Sequence, residues 1–252
     1  MNLNTAFEFM EKTKYQNMSS SPQEDGVPQP PLQLEVDPTA TQIKLPNPSE
    51  TDFSSFDLRK AIEQRTSVRQ YSQQPLSLEE LSLLLWLTQG VKEVTKRPVT
   101  LRTVPSAGAR HAFETYILAN HVSGLAPGVY RFAAIEHTLL EVNLSADIGE
   151  KLEEACHRQK MVTRSAATFF WAAVTERMTW RYIERGFRKL HLDAGHICQN
   201  LYLAGEAIGC GTCAIHAFDD DEYFLHVFVE VGSEASPDRQ PRPVHHLHRA
   251  GL

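Results

Sequence analysis

Long apolar runs are absent from this 252-residue sequence. The longest, Ala166 to Val174, is interrupted by Thr168 and falls far short of the roughly 20 residues that a membrane-spanning helix requires. An integral membrane protein with helical spans is excluded on that ground. Positive charge is also in short supply, with 25 Lys plus Arg against 31 Asp plus Glu and a formal charge of −6. The basic face of a dedicated nucleic-acid binder is therefore missing. Cysteine is scarce: four residues in a chain long enough to bury a core read as reduced thiols rather than a disulfide framework. The first twenty residues carry Glu8, Glu11, Lys12 and Lys14 with no apolar core between them, unlike a secretory signal. These absences agree on a cytoplasmic address. What is present is a globular composition, 42% hydrophobic and 22% charged, with no internal repeat.

Three regions follow from the pattern. Residues 1–54 read as an extended Pro/Ser-rich arm, with Pro22, Pro28, Pro30, Pro31, Pro38, Pro46 and Pro48. Ahead of the prolines, Phe7, Phe9, Met10 and Tyr15 make a more apolar segment, either docked or disordered. Residues 55–236 read as the folded domain, and residues 237–252 as a Pro-, Arg- and His-rich tail. Within the domain, Asp57 is a candidate N-cap for Leu58 to Gln64. Ser77 and Glu80 form a capping box before a helix that Gly90 closes. Gly, Pro and basic residues mark a loop from Gly90 through Gly108, and Phe113 to Ala119, Val129 to Phe132 and Leu139 to Val142 read as a meander of strands. A helix over Ala146 to His157, a buried strand over Thr168 to Thr175 and a long helical stretch from Glu176 follow. In that stretch Ala194, Ile197, Cys198, Leu201, Tyr202, Gly205 and Ile208 share one face, and Gly186 marks a break. Strands at Gly209 to Ile215 and Val227 to Val231 complete an α+β pattern.

Two segments suit ligand chemistry. In extended Arg65-Thr66-Ser67-Val68-Arg69, residues 65, 67 and 69 project to one face, where two guanidiniums and a hydroxyl suit a phosphate. The alternative is a solvated basic turn. Pro105-Ser106-Ala107-Gly108-Ala109 is a small-residue loop that a flat ligand can approach closely, or simply a connector. Cys210-Gly-Thr-Cys213 matches a redox pair or, with His216, half of a zinc site. It follows a helix rather than opening one and lacks a second ligand pair, so two semi-buried structural thiols are the better reading. The tail histidines His245, His246 and His248 are assigned no metal, and Arg239 and Arg242 would add charge only if the tail folds back over a phosphate.

Thr13-Lys14-Tyr15, Arg65-x-Ser67-x-Arg69, Pro105-Ser106-Ala107-Gly108, and the stretch from Arg185-Gly186-Phe187 through Ala194-Gly195-His196 and Gly209-x-Gly211-Thr212-Cys213-Ala214-Ile215 to Asp221 occur in the order found in one family. The chain resembles the nitroreductase family, specifically its SagB-type dehydrogenase branch, over about Phe53 to Ser233 plus the arm. The resemblance implies a central antiparallel sheet flanked by helices, an intertwined homodimer and FMN at the subunit interface. It implies that Arg65, Ser67 and Arg69 hold the FMN phosphate and ribityl chain, and that Pro105, Ser106, Ala107 and Gly108 line the isoalloxazine ring. Ala214, Ile215, His216 and Ala217 would present backbone amides near the flavin N5, where a donor stabilises developing charge.

The sequence departs from the family pattern at three places. Arg110-His111-Ala112 replaces a common Leu-Tyr-Pro, and Arg181-Tyr182 stands where azoline-oxidising members carry Lys-Tyr. Arginine is a poor base at neutral pH, which leaves Tyr182 as the candidate acid or base with Arg181 beside it. His216-Ala217 replaces a glycine pair, and the stretch between Asp221 and Val227 is short. The implied activity is FMN-dependent oxidation of thiazoline or oxazoline rings in a modified peptide. Alternatives are an NAD(P)H-dependent nitro or quinone reductase and a non-catalytic flavin-binding scaffold in a biosynthetic complex.

Overall fold

From Phe113 to Ala119 the chain is largely apolar, with Glu114 and Thr115 the polar exceptions, the strand there is buried on both sides, and the fold is built around it. The computed structural model describes residues 3–50, 56–219 and, as backbone, 225–233. In chain order the elements are α1 (Asn4–Lys12), β1 (Gln42–Lys44), α2 (Leu58–Gln64), α3 (Leu78–Gln89), β2 (Val91–Val94), β3 (Thr100–Arg102), β4 (Phe113–Ala119), β5 (Gly128–Ala133) and β6 (Thr138–Asn143). They continue with α4 (Ile148–Ala155), α5 (Met161–Arg164), β7 (Ala167–Ala173), α6 (Thr175–Tyr182), α7 (Gly186–Ala207), β8 (Cys210–Ile215) and β9 (Leu225–Ser233). Seven strands form one antiparallel sheet in the order β1-β6-β5-β4-β7-β9-β8.

The period of two divides the sheet's side chains between two cores. Phe113, Ile117, Phe169 and Trp171 pack on one face with Leu81, Leu84 and Leu85 of α3 and Leu190, Ala194, Ile197 and Leu201 of α7. Leu118, Phe170 and Ile215 face the other way, onto Leu152 and Val162 of α4 and α5. The capping box predicted at Ser77 and Glu80 is formed, and the Asp57 side chain accepts from the Arg59 and Lys60 amides. The break expected at Gly186 is a 3-10 turn, Ile183–Arg185, between α6 and α7. It turns through Ile183 at φ +40°, a conformation a β-branched residue rarely adopts.

The stretch from Gly90 through Gly108, expected as a loop, contains the hairpin β2–β3, with Val91 opposite Arg102 and Val94 opposite Thr100. Lys96, Arg97 and Pro98 sit in the turn between the strands, while Lys92 and Arg102 lie in the strands themselves and Val94 pairs with Thr100. The arm is extended, as its prolines require, but it is a strap laid on the domain rather than a free tether. Its Leu32 and Pro31 carbonyls accept from the buried guanidiniums of Arg102 and Arg177. Its Leu34 and Glu35 carbonyls accept from Arg131, and its Gln42–Lys44 segment becomes the sheet's edge strand β1. The apolar segment before it is docked as well: Arg188 donates to the Met10 carbonyl and the Thr13 hydroxyl, and Arg185 donates to the Thr13 carbonyl while lying over the Tyr15 ring. The tail at 237–252, with Arg239, Arg242, His245, His246 and His248, lies outside the described residues, as does Asp221.

Candidate functional site

Two clusters of predicted site residues form on α7. In the first, the segment after α2 crosses β8. Ser67 bridges Thr212 in parallel, and the Val68 amide donates to the Thr212 carbonyl at 3.0 Å. Gly211 is required for this crossing, because a Cβ there would stand 2.5 Å from Val68 Cβ. Arg65 lies over the Tyr202 ring, its guanidinium carbon 5.2 Å from the centroid. Ser67 Oγ lies 3.0 Å from Tyr202 Oη, and that same phenol accepts the Ala214 amide at 2.9 Å. Arg69 Nη1 donates to the Ser67 carbonyl. Among the described residues neither Arg65 nor Arg69 has a carboxylate within ion-pair distance. Two half-exposed or exposed guanidiniums and a hydroxyl at one edge make a donor set that fits a phosphate.

The same bridge brings Ala214 and Ile215 alongside. Ile215 is buried in the smaller core, whereas His216 and Ala217 are exposed, and the Ala217 carbonyl accepts from Gln159. Tyr202 is the residue that sequence reasoning assigned only to a core stripe. Its register on the apolar face of α7 was legible, but the use of its hydroxyl depends on the chain crossing above it.

The second cluster gathers around Asp193. Ser106 Oγ donates to Asp193 Oδ2 at 2.5 Å, the Ala107 amide donates to Oδ1 at 3.3 Å, and Ser106 Oγ accepts the His111 amide at 2.9 Å. Burial pushes the Asp193 carboxyl above the ordinary range, while the Ser106 and Ala107 donors pull it back. Gly108, at φ +60°, sits directly against Tyr182: a Cβ would lie 2.5 Å from Tyr182 Oη and 3.3 Å from Arg181 Cδ. The small-residue loop and the Arg181-Tyr182 pair, far apart in sequence, thus form one corner, with Pro105 exposed at its rim. Lys189 completes it, its Nζ 4.3 Å from the centre of the Tyr182 ring. Ala109, His111 and Ile183 all have positive φ here, so backbone strain concentrates where the side chains of interest meet.

Asp193 and Tyr202 are nine residues apart on α7, which is half a turn of rotation and about 14 Å along the axis. The two clusters therefore face opposite sides of one helix. Cys210 and Cys213 are buried on β8, and burial pushes the Cys210 thiol up to about 12 and that of Cys198 to about 11. Raised in this way, the Cys198 and Cys210 thiols are held in the protonated form, and no metal-holding group of His, Cys, Asp or Glu occurs among the described residues. No helix among the described residues is long and apolar enough to cross a membrane.

Comparison with known proteins agrees with this architecture. The chain is 35% identical over 181 residues to the Methanocaldococcus jannaschii protein MJ1384, which bears the nitroreductase name, covering 72% of this chain and 86% of that one. It is 30% identical over 145 residues to the trifolitoxin-processing protein TfxB of Rhizobium leguminosarum bv. trifolii, covering 53% of this chain and 38% of that one. Among solved structures, a chain of the E. coli microcin synthetase McbBCD complex with truncated pro-MccB17 bound superposes with a TM-score of 0.58 at 16% identity, covering 94% of this chain and 98% of that one. A Desulfovibrio desulfuricans structure of nitroreductase name, in complex with FMN, superposes at 0.50 and 16% identity, covering 75% and 94%. The model of the nitroreductase family matches residues 62–232, well over half of the sequence, and the chain belongs to that family.

Proposed function

We propose that the chain is an FMN-dependent oxidoreductase of the SagB type, acting on thiazoline or oxazoline rings of a modified peptide. The observation that carries the cofactor is the Ser67–Thr212 bridge, which sets Arg65, Ser67 and Arg69 beside Ala214 at an edge of the domain. Peptide substrate and partners are supported by the likeness to a trifolitoxin-processing protein and to a chain of a microcin synthetase complex with truncated pro-MccB17 bound. When bound, FMN supplies reversible two-electron chemistry.

The chain's own residues then have distinct tasks. Arg65 and Arg69 neutralise the phosphate, and Ser67 donates to the phosphate or ribityl chain, with Tyr202 fixing its rotamer. The backbone at Ile215, His216 and Ala217 lies next in line, while the Ala214 amide is held by Tyr202. The Pro105–Gly108 loop, anchored by Asp193, offers a flat wall, and Tyr182 stands against it as the group able to hold or move a proton. Because the loop hangs on one side of α7 and the arginine segment on the other, Arg65 and Arg69 of one copy and the loop wall of a second copy would together line one site. That geometry supports a homodimer, as do exposed Leu58, Ile62 and Leu192.

Arg181 favours a second reading. It cannot serve as a base at neutral pH, so proton removal from an azoline falls to Tyr182 alone, and reduction of a nitro compound or quinone with NAD(P)H needs no such base. The scaffold reading is the one in which bound flavin exchanges no electrons. A cytoplasmic location fits the reduced thiols in each case.

The first experiment is a visible spectrum of freshly purified protein, with acid release and chromatography of any chromophore. Stoichiometric FMN supports the reading, and a colourless protein that takes up no added FMN overturns it. Anaerobic addition of NADH, NADPH or an azoline peptide then separates the readings by which one bleaches the flavin, and a flavin inert to all of them selects the scaffold.

A further inference from the structure

Around Tyr182 the chain gathers three cations, of which Lys189 feels the Asp193 carboxylate four residues further along α7 without forming an ion pair with it. Arg110 is buried and lies over the Trp180 ring, its guanidinium carbon 4.9 Å from the centroid. Its Nη1 donates to Gln29 Oε1 of the strap at 3.2 Å, and its Nε has no acceptor. Arg181 lies 5.6 Å from the centre of the Tyr182 ring, with Lys189 4.3 Å from the same ring. None of Arg110, Arg181 and Lys189 has a carboxylate within ion-pair distance among the described residues. Asp193, the acid of this corner, directs both oxygens to Ser106 and Ala107.

We propose that this corner is an anion subsite that holds a carboxylate or phosphate group of the substrate, next to the planar group that reacts, against the Trp180 and Tyr182 rings. The inference deepens the reading of the Pro105–Gly108 loop as a wall of the redox site and rests on it. Arg110 and Arg181 repel one another with no carboxylate in ion-pair contact with either, and Arg110 has in addition lost most of its water. Burial and the neighbouring Arg181, Arg97 and Arg177 charges all oppose its protonated form. An anionic ligand removes that conflict, supplying acceptors to the two guanidinium forks and a counter-charge to Lys189.

The flat rings supply the shape preference, since an indole and a phenol favour a planar ligand body over a branched one. The strap takes part: the Trp180 indole donates to the Val27 carbonyl and the Trp180 carbonyl accepts from the Gln23 amide, so residues 23–29 hold the ring that Arg110 covers. A residue far upstream in sequence, Gln29, thereby orients the central guanidinium.

The test is isothermal titration calorimetry of benzoate, phenyl phosphate and benzamide into FMN-loaded and FMN-free protein, with the wild type, Arg110→Gln and Lys189→Gln. The expected result is that at least one anion binds about tenfold or more tightly than neutral benzamide at low salt. The preference shrinks several-fold in each variant and in high salt. The tighter of the two anions identifies the group as carboxylate or phosphate. Equal binding of all three compounds, no binding of either anion, or a preference unchanged in both variants overturns the proposal. Lys189 is only half-buried, so its variant keeps the test decisive even if Arg110→Gln fails to fold. The two readings fail separately: flavin without an anion preference removes the subsite, whereas an anion preference in a protein that takes up no flavin removes the redox assignment.

Discussion

Tyr202 Oη stands 3.0 Å from Ser67 Oγ and accepts the Ala214 amide at 2.9 Å, so a single phenol ties α7 to both segments of the proposed cofactor edge. Tyr202→Phe removes one atom and both bonds. The Ala214 amide loses its acceptor and Ser67 its rotamer lock. Stability is expected to fall by about 0.5–1.5 kcal/mol in urea unfolding. FMN affinity is expected to fall roughly three- to tenfold by titration, because a net hydrogen bond is worth about that much. Unchanged FMN affinity would separate Tyr202 from the site. The companion double variant Arg65→Ala/Arg69→Ala is expected to strip flavin while leaving the circular dichroism spectrum intact.

Glu114 is buried with Arg177 Nη2 at 2.5 Å, Arg131 Nη1 at 3.6 Å and the strap's Leu34 amide at 2.8 Å. Glu114→Ala leaves two buried guanidiniums facing each other across an empty site, a loss of about 3–5 kcal/mol. The strap is expected to open before the sheet does. Hydrogen exchange at residues 29–36 should rise ahead of exchange in β4 and β7, and limited proteolysis should cut there first.

His111 carries a pH dependence whose sign is fixed by burial. Desolvation, with the Arg102 and Arg110 charges beside it, pushes its pKa from the ordinary 6.5 down to about 3. Below pH 6.5 the unfolded chain takes up a proton that the folded chain refuses. Stability is therefore full above that pH and is lost progressively as pH falls toward 3, with a slope of at most about 1.36 kcal/mol per pH unit. His111→Asn, chosen because asparagine tolerates the φ of +42°, is expected to flatten that part of the slope in urea unfolding series at pH 7.5, 6 and 5. An identical slope in both proteins would assign the acid sensitivity elsewhere.

Gly108 cannot carry a side chain without displacing its neighbour, given its φ of +60° and the 2.5 Å from a built Cβ to Tyr182 Oη. Gly108→Ala is expected to cost about 1–2 kcal/mol in stability, from the left-handed backbone alone. It should lower kcat/KM more than it lowers FMN content, because it moves Tyr182 rather than the phosphate cluster. An unchanged kcat/KM would separate Tyr182 from the chemistry.

Local chemistry made much of this fold readable. The Ser77–Glu80 box, the Asp57 cap, the Phe113–Ala119 strand and the break at Gly186 are all decided within a few residues of themselves. The β2–β3 hairpin was not readable, since its strands are only three or four residues long, carry Lys92 and Arg102 among the β-branched residues, and flank a turn of Lys96, Arg97 and Pro98. The strap was legible as extended but not as docked, because its partners Arg102, Arg131 and Arg177 lie up to 146 residues away. For the site, period two put Arg65, Ser67 and Arg69 on one face. The tie of Tyr182 to Gly108 and of Asp193 to Ser106 depends on where α6 and α7 land, which no spacing encodes.

The strap also sets an order of events during synthesis. Residues 22–36 leave the ribosome early, yet their bonds are made to Glu114, Arg131, Arg177 and Trp180, and the last of these follows Val27 by 153 residues. At about 5–20 residues per second the strap waits roughly 8–31 s for its final anchor. Its seven prolines between Pro22 and Pro48 suit that wait, because a segment without free amide donors at those positions is a poor template for stray β pairing. Closure of the strap is thus a late step, and the nascent chain presents its sheet edge and its buried arginines to the surroundings until α6 has emerged.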